Sequence, residues 1–330
     1  MDDNVDSMRA VVADGYGPPE EYTVADGVPV PKPGPGQIQV RIAAAAVNPA
    51  DVRLPSGEFG DAVPLTFPHV PGNDFAGTVT QVGSGVTAYR VGDEVFGVAV
   101  PRVLRGLAGK RPSVGTGSLA EYAVVEADTP MIAHRPGGLS AEDAAALATT
   151  GVTARAIMAT AAVKPGERVL LVGATGGVGT VLLPLLAAAG AHVIATATPA
   201  DAALMRELGA TEVIGYQESE YPADVDVAIN AVLPGDRLAA VAATLRPGGR
   251  LLGITFPAPT PETVGRDDVT LHLVFDMDAE LGGMREVGEV AARGELRAVI
   301  GRRYRLEEGA QACVDFAREH TTGKLVVTVG

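Results

Sequence analysis

The spacing of apolar and polar residues divides the chain into two parts with different rhythms. From residue 8 to about residue 127, apolar residues form short β-like stretches separated by clusters of Gly and Pro, such as residues 31–36. This pattern predicts a β-barrel-like domain. Its clearest stretches are Arg9–Val12, Gln37–Ile42 and Gly77–Val82.

From about residue 139, helical and strand patterns alternate. Ser140 followed by Asp143 predicts a capped, Ala-rich helix. The continuous apolar run Arg168–Val172 is typical of a strand buried in a parallel sheet. Alternating strands and helices predict a parallel sheet with right-handed crossovers. After Val172 the sequence predicts a helix to about Ala189 and a strand His192–Ala197. The next predicted helix is capped by Thr198, has Pro199 at its first position and is closed by Gly209. The remaining predicted elements are a strand Val225–Ile229, a turn Pro247-Gly248-Gly249, a strand Arg250–Ile254, a strand from Leu271, a helix of about Ala279–Arg293 and a final strand Leu325–Val329.

Composition narrows the classes of function. With 26 basic and 40 acidic residues among 330, the formal charge is −14, which disfavours binding to nucleic acid or to anionic membranes. The one cysteine, Cys313, permits no internal disulfide and no multi-cysteine zinc site, and we expect it to be a core thiol. Residues 1–7 lack the layout of a secretion signal, and we expect a soluble cytoplasmic protein.

A glycine-rich segment carries the clearest chemistry. Gly173-x-x-Gly176-x-x-Gly179 lies between a predicted buried strand and a predicted helix. Small residues there let the backbone approach a pyrophosphate, and the start of the helix offers unpaired N–H groups. Strand, turn, helix and next strand occur within about 30 residues, as a dinucleotide-binding fold requires. The structural alternative is a plain strand-to-helix turn.

The type of dinucleotide is less clear. An acid that binds the ribose of NAD is expected about 20 residues further on. That place holds Thr196-Ala197-Thr198, which favours NADP, although no basic residue precedes Arg206 to hold the 2′-phosphate. Asp201 is nearby, but an acid in the first turn of a helix is the simpler interpretation.

The ordered motifs together resemble the medium-chain dehydrogenase/reductase superfamily, in its zinc-free quinone oxidoreductase (zeta-crystallin-like) branch. The resemblance runs from residue 8 to residue 329. The motifs that carry it are Asn48-Pro49-Ala50-Asp51, Pro71-Gly72-Asn73-Asp74-Phe75-Ala76-Gly77, Val91-Gly92-Asp93-Glu94-Val95-Phe96-Gly97, Gly117-Ser118-Leu119-Ala120-Glu121-Tyr122, the Gly173–Gly179 turn, Arg206-Glu207-Leu208-Gly209-Ala210, Pro247-Gly248-Gly249-Arg250 and Gly323-Lys324-Leu325-Val326-Val327.

The resemblance implies an α/β protein with a GroES-like β-barrel catalytic domain and a doubly wound Rossmann domain. The expected bounds are residues 1–130 for the first part of the catalytic domain, 131–270 for the NADP-binding domain and 271–330 for the return. The implied activity is NADPH-dependent reduction of a small quinone or another α,β-unsaturated carbonyl. A homodimer is implied too, paired through an edge strand at about Thr270–Phe275.

The resemblance also assigns cofactor contacts. Gly173, Gly176, Gly177 and Gly179 form the turn, with Thr175 to Val178 against the pyrophosphate. Thr198 and Tyr216 lie by the adenosine ribose and its phosphate, although Gly215 stands where the family usually has an acid. The residues flanking the nicotinamide are Ile254, Thr255, Phe256, Val274 and Phe275. The plainer interpretations are a tyrosine half-buried at a strand end and ordinary loop packing.

On the substrate side, Asn48 is the best candidate for a polar group aimed at the substrate carbonyl or the nicotinamide. Arg53 replaces a Tyr found in many relatives. It either polarises a carbonyl or binds an acidic substrate, or it is a surface arginine paired with Asp51 or Glu58. Gly72-Asn73-Asp74 replaces the Gly-His-Glu of zinc-dependent relatives, and His69 has no ligand-spaced partner, so no metal is expected. No side chain stands out as a general acid, which leaves water as the proton source.

Two other functions stay open. One is an enoyl reductase of a polyketide-type pathway, encouraged by the basic residues of Pro101–Val114. These are Arg102, Arg105, Lys110 and Arg111, and the alternative for them is a solvated loop. The other is a non-catalytic relative that keeps the dinucleotide site, which the departures at Arg53 and Gly215 keep open.

Overall fold

A computed structural model describes residues 6–61, 64–101, 113–114, 117–276 and 280–330. The chain forms two compact units. The first is Met1–Thr149 with Met277–Gly330, and the second is Thr150–Asp276. We call them the barrel unit and the sheet unit.

The barrel unit is built around β3 (Gln37–Ala46). Its neighbours are β4 (Asp74–Val82) on one side and, on the other, β8 (Tyr122–Glu126) along the first half and β17 (Lys324–Thr328) along the second, all antiparallel. The sheet order is β16-β17-β3-β4-β5-β9, with β8 beside β3. Apolar residues of this β-rich region are buried on both faces of β3, as the GroES-like fold requires. The remaining strands are β1 (Ser7–Val12), β2 (Thr23–Pro29), β5 (Glu94–Val98), β6 (Val100–Pro101), β7 (Ser113–Val114), β9 (Ile132–His134) and β16 (Ile300–Arg305).

The sheet unit contains one six-stranded, fully parallel sheet with the order β12-β11-β10-β13-β14-β15. The chain moves outward in one direction from β10 and then returns to β13 on its other side, so the topological switch point lies between these two strands. Ligands bind at such a point, at the carboxyl ends of the strands. The strands are β10 (Arg168–Val172), β11 (His192–Thr196), β12 (Glu212–Ile214), β13 (Val225–Asn230), β14 (Leu245–Gly253) and β15 (Thr270–Leu273).

Helices connect these strands. Ser140 caps the long α2, since its hydroxyl accepts a hydrogen bond from the backbone N of Asp143 at 3.0 Å. The described helices are α1 (Pro49–Arg53), α2 (Ala141–Ala161), α3 (Gly177–Ala188), α4 (Ala202–Glu207), α5 (Ala239–Ala243), α6 (Pro261–Val264), α7 (Gly283–Ala292) and α8 (Gly309–Arg318).

Three predicted boundaries were wrong. Helix α4 begins at Ala202 rather than at Pro199, because the chain first makes a turn in which the Thr198 hydroxyl accepts from the N–H of Asp201. Helix α7 begins at Gly283, because Gly282 and Gly283 have φ +90° and +60°, a conformation that does not extend a right-handed helix further back; Ala279, where the predicted helix began, lies outside the described residues. The predicted turn at residues 247–249 lies inside β14, as an irregularity in its pairing with β13.

Candidate cofactor and substrate sites

The glycine turn joins β10 to α3 at the switch point. Gly173 has φ +87°, a conformation that favours glycine, and its N–H donates to the Thr196 hydroxyl at 3.0 Å. Gly176 is the N-cap of α3, a helix of 12 residues. The first N–H groups of α3 have no partner within the helix, and the helix dipole is positive at this end. The turn therefore offers an anion site without a basic side chain.

The three glycines of the motif have different roles. A Cβ at Gly179 would lie 2.4 Å from the carbonyl oxygen of Gly173, so the packing of helix against strand requires glycine there. Gly176 differs, because its φ is −72° and a Cβ would meet nothing nearer than the Gly173 oxygen at 3.5 Å. The protein itself does not require glycine at 176. A ligand that approaches the backbone at Gly176 from outside would require glycine there, because a side chain would occupy its space. A pyrophosphate is expected to approach in this way.

The end of β11 and the end of β12 meet beside this turn. The Tyr216 hydroxyl lies 3.0 Å from the Thr175 hydroxyl and also hydrogen-bonds the Thr198 backbone, while burial raises its pKa. The Thr198 hydroxyl donates to Asp201 at 2.5 Å. Thr175, Thr198 and Tyr216 are therefore brought together at one corner of the sheet. Asp201 is the acid nearest to that corner in sequence, and its charge acts on Tyr216.

The carboxyl edge of the sheet is lined with exposed apolar side chains. Val232 follows β13, Phe256 follows β14 and Phe275 follows β15, and each is more than half exposed. The two phenylalanine rings meet edge to face, with centroids 5.8 Å apart. Val274 is buried and its N–H donates to the Gly253 oxygen at 2.8 Å, while Ile254 and Thr255 are partly buried. Exposed rings on a sheet edge suit a flat, apolar ligand.

Asn230 holds the two loops of this edge, and sequence reasoning missed it. Its Oδ1 accepts from the N–H groups of Val232 and Leu233, at 3.3 and 2.9 Å. Its Nδ2 donates to the Leu233 oxygen at 2.8 Å and to the Thr255 hydroxyl at 3.2 Å. A polar residue at the end of the predicted strand Val225–Ile229 was the available signal, because a buried amide needs several partners.

In the barrel unit, Asn48 caps the short α1 and is almost fully buried. Its Nδ2 donates to the Ala46 oxygen at 3.1 Å, and its Oδ1 accepts from Lys324 Nζ at 2.7 Å. Lys324 also donates to the Val47 oxygen at 2.7 Å and lies 3.4 Å from Asp74 Oδ2. The other oxygen of Asp74 accepts from the hydroxyl and the N–H of Thr149, at 2.6 and 3.2 Å. Sequence reasoning named Asn48 but assigned no role to Lys324 or Asp74.

Asp51 is buried beside this network, and its carboxylate accepts hydrogen bonds from backbone N–H groups. Its two oxygens accept from the N–H groups of Asn48 and Gly72, at 2.7 and 3.1 Å. Burial raises the pKa of Asp51 to about 7, helped by the charge of Asp74 and opposed by both N–H bonds and by Lys324. These bonds are those of a structural capping residue.

Arg53 is paired with Glu58, which was one of the two alternatives in the sequence. Its Nε and Nη2 donate to the two carboxylate oxygens at 2.8 and 2.5 Å, and its guanidinium lies 5.0 Å from the Phe59 ring centroid. Action on a substrate carbonyl would require Glu58 to release it. That role stays a prediction.

The remaining predicted residues are Cys313, His69 and the basic segment. Cys313 is buried, as predicted, and burial raises its pKa. His69 exchanges backbone hydrogen bonds with Ala13, and burial lowers its pKa to about 4. The side chains of the basic segment, Arg102, Arg105, Lys110 and Arg111, lie outside the described residues.

No group of three or more His, Cys, Asp and Glu side chains among the described residues is arranged to hold a metal ion. None of their helices combines the length and the apolar character that a membrane crossing needs.

Known families match two stretches of the chain. Residues 34–135 match the alcohol dehydrogenase GroES-like domain, and residues 208–327 match the family described as zinc-binding dehydrogenase. Among curated proteins, the rat (Rattus norvegicus) quinone oxidoreductase is 30% identical over 96% of each chain. The spectinabilin polyketide synthase system protein NorB of Streptomyces orinoci is 34% identical over 87% of this chain, which corresponds to 13% of NorB.

Solved structures agree with these matches. The quinone oxidoreductase of Coxiella burnetii superposes with a TM-score of 0.84 at 27% identity, covering 98% of this chain and all of that one. An NAD-dependent alcohol dehydrogenase gives 0.80 at 30% identity, and a mycobacterial protein complexed with NADPH gives 0.81 at 26%, each over 98% of this chain and 100% of the other. The chain therefore belongs to the medium-chain dehydrogenase/reductase superfamily, in its quinone oxidoreductase branch, and is an oxidoreductase with a fold that binds a nicotinamide dinucleotide.

Proposed function

We propose that the protein is an NADPH-dependent reductase of quinones or other α,β-unsaturated carbonyls that works without a metal. The observation that carries this proposal is Gly176, where the fold needs no glycine but an approaching pyrophosphate does. The exposed apolar edge after β13, β14 and β15 supports it, because it suits a flat ring.

A bound dinucleotide would supply the hydride and the substrate would accept it, while the residues of the chain bind and orient the two. The N–H groups at the start of α3 hold the pyrophosphate, so no basic side chain is needed. The carboxyl edge of the sheet orients the nicotinamide ring and excludes water. The residues that do this are Ile254, Thr255, Phe256, Val274 and Phe275. Asn48 donates a hydrogen bond to the substrate carbonyl oxygen, where negative charge develops. The proton then comes from water.

The preference for NADPH rests on the corner formed by Thr175, Thr198 and Tyr216. No acid directly follows β11 there, and one hydroxyl of the Thr175–Tyr216 pair is left to donate to a 2′-phosphate, whereas the Thr198 hydroxyl donates to Asp201. Asp201 opposes this, since its carboxylate lies close enough to act on Tyr216. We therefore expect NADPH to bind more tightly than NADH by a modest factor, about tenfold, equal to roughly 1.4 kcal/mol.

Fluorescence titration with NADPH and NADH tests this preference. Tyr216→Phe removes one hydroxyl and is expected to weaken NADPH about fivefold while leaving NADH unchanged, by the value of about 1 kcal/mol for one hydrogen bond. Tyr221→Phe, at another partly buried tyrosine of the sheet unit, is the matched control. Equal affinities for the two nucleotides in the parent protein would refute the NADPH preference.

Steady-state oxidation of NADPH tests the substrate class. A panel of quinones and small enones is compared with a panel of enoyl thioesters. We expect turnover of the quinones and enones. Turnover of the thioesters alone would establish the second candidate, an enoyl reductase, which the match to NorB favours. Tight binding of NADPH without turnover of any acceptor would show a non-catalytic dinucleotide-binding protein.

We also propose that two copies pair through β15. This strand ends the order of the parallel sheet and has a neighbour on one side only among the described strands. An open strand edge pairs readily with another strand. Sedimentation equilibrium is expected to give twice 33.6 kDa. A mass of one chain at micromolar concentration would exclude a stable pair.

A further inference from the structure

The buried network around Asn48 contains an ammonium group to which the proposed reaction assigns no role. We call Asn48, Asp74, Thr149 and Lys324 the Asn48 cluster. Asp74 is fully buried, Lys324 is 5% exposed and Asn48 is 6% exposed. The cluster joins residues up to 276 positions apart in the chain. A buried lysine with a fixed set of partners is costly unless each partner is well placed.

Every proton of the Lys324 ammonium faces an acceptor. The acceptors are the Val47 oxygen at 2.7 Å, Asn48 Oδ1 at 2.7 Å and Asp74 Oδ2 at 3.4 Å. Asp74 is itself held on its other oxygen by Thr149. The ammonium therefore has no freedom to turn away from Asn48.

This arrangement fixes which way the Asn48 amide faces. An ammonium can only donate, so the atom of Asn48 that faces Lys324 must be the oxygen. Nδ2 is then on the other side, where it gives one hydrogen to the Ala46 oxygen at 3.1 Å. An amide nitrogen has two hydrogens, so one donor remains beyond that bond.

The positive charge also strengthens that remaining donor. A cation bonded to an amide oxygen draws electron density from the nitrogen, and chains of hydrogen bonds polarise one another in a low-dielectric interior. A stronger donor stabilises negative charge on an oxygen more than it stabilises a neutral carbonyl.

Stability alone does not account for the pair of charges. A buried ion pair often contributes no more stability than apolar side chains of the same volume, because both ions lose their hydration. Lys324 nevertheless bonds directly to the one residue of the barrel unit to which the proposed reaction gives a donor role.

We propose that Lys324 is a positioning residue that holds the Asn48 amide as a polarised donor toward the substrate carbonyl oxygen. Asp74 and Thr149 hold Lys324 in turn. This inference rests on the proposed function for the role of the donor, but the orientation of Asn48 is independent of it.

A pair of variants separates the lysine from the rest of the cluster. Asp74→Asn keeps the bond from Lys324 to Asn48. Lys324→Met/Asp74→Asn removes that bond without leaving an unpaired charge in the interior. The two proteins differ only in the lysine, so each is a control for the other. Thermal unfolding of both verifies that they are folded.

The first measurement does not depend on activity. The chain has four asparagines, at positions 4, 48, 73 and 230, and both variants add a fifth at position 74, so each variant labelled with ¹⁵N-asparagine gives five side-chain amide pairs. Asn48→Ala identifies the pair that belongs to Asn48. We expect this pair to shift between Asp74→Asn and the double variant by more than the pairs at positions 4, 73 and 230, while the pair at position 74, which neighbours Lys324, is left out of the comparison. An unchanged Asn48 pair would overturn the orientation by Lys324.

The second measurement is the coupling between Lys324 and Asn48 in turnover. In the Asp74→Asn protein, Asn48→Ala is expected to lower kcat by about 100-fold, the loss typical of one oxyanion donor. The kcat of the double variant is expected to be at least about tenfold below that of Asp74→Asn. Adding Asn48→Ala to the double variant should then lower kcat by less than about a further tenfold, because the donor is no longer held in place. Both variants should leave the Kd of NADPH unchanged.

Other outcomes are equally decisive. If the losses in kcat multiply independently, the two residues do not act as a unit and the positioning role is overturned. If the parent protein turns over no acceptor at all, the proposed function fails and the donor role fails with it, while the amide spectra still decide whether Lys324 orients Asn48.

Discussion

The edge of the sheet unit and the Asn48 cluster of the barrel unit place polar groups in opposite ways. At the edge, the donors are the first backbone N–H groups of α3, which begins at Gly177, and the exposed side chains are Val232, Phe256 and Phe275. In the cluster, the groups are buried side chains, including Lys324 and Asp74. The glycine turn at this edge depends on the absence of side chains, whereas the cluster depends on the exact partners of its side chains. Substitutions should therefore affect ligand binding at the edge and folding in the cluster.

The largest effect is expected for Lys324→Met alone. It leaves the fully buried Asp74 carboxylate with its Thr149 bonds and no cation. Loss of one partner of a buried pair costs about 3–5 kcal/mol, and urea unfolding measures it. Lys324→Met/Asp74→Asn should recover a large part of that loss. Equal stability of the single and double variants would show that the charge of Asp74 is tolerated without Lys324.

The pH dependence of Asp51 gives the next effect. Its pKa in the folded protein is about 7, against 3.8 for an ordinary aspartate, chiefly because of burial. Between these values the unfolded chain releases the proton while the folded protein keeps it. The contribution of Asp51 to the free energy of unfolding is therefore fully present below about pH 4 and is lost as the pH rises through 7.

Asp51→Asn removes this titration and serves as the reference. The stability of the parent protein relative to the variant should fall between pH 4 and 7, by an amount on the order of a few kcal/mol. Chemical unfolding at a series of pH values measures the difference. A difference that is flat from pH 4 to pH 8 would mean that Asp51 titrates alike in the folded and unfolded chain.

Two glycine substitutions sharpen the description of the edge. Gly179→Ala places a methyl group 2.4 Å from a backbone oxygen and should destabilise the protein by about 1–3 kcal/mol. Gly176→Ala meets no such obstacle, so its stability should change by less than about 0.5 kcal/mol. It should nevertheless raise the Kd of NADPH at least about tenfold, because its methyl group occupies the approach of the pyrophosphate. Unchanged NADPH binding in Gly176→Ala would contradict the proposed cradle.

The smallest effect is expected for Arg53→Ala. Its partner Glu58 is on the surface, and exposed ion pairs contribute about 0–1 kcal/mol. We expect kcat to stay within about threefold of the parent, with Glu58→Ala as the matched control. A loss of kcat above about tenfold in Arg53→Ala alone would instead establish the arginine as a group that acts on the substrate.

Sequence reasoning succeeded where the information is local. The apolar run of β10, the turn and the start of α3 are contiguous, so their periodicities and glycines predicted the parallel sheet, while the phosphate site at that turn stays a prediction. The ends of α4 and α7 were less predictable. Thr198 caps a turn before the helix rather than the helix itself, and Gly282 stops a pattern that looked continuous.

The rest of the site depends on distant pairings. Lys324 meets Asn48 only because β17 pairs with the second half of β3, which brings together residues 276 positions apart. No spacing in the sequence carries that information. Arg53 and Glu58 are close enough for their pairing to be foreseen as an alternative, but their rotamers decide it. In the sequence, Asn230 is only a polar residue at the end of a predicted strand, and its four bonds depend on loops that follow two different strands.

Those four bonds have a practical consequence for redesign. One amide side chain ties the loop after β13 to the loop after β14, through Leu233 and Thr255. The conformations of the two loops therefore depend on each other, and neither loop can be replaced independently. Grafting a loop from another protein at residues 231–235 would also release residues 254–257, so a transplant intended to alter acceptor choice has to carry both loops and their shared asparagine.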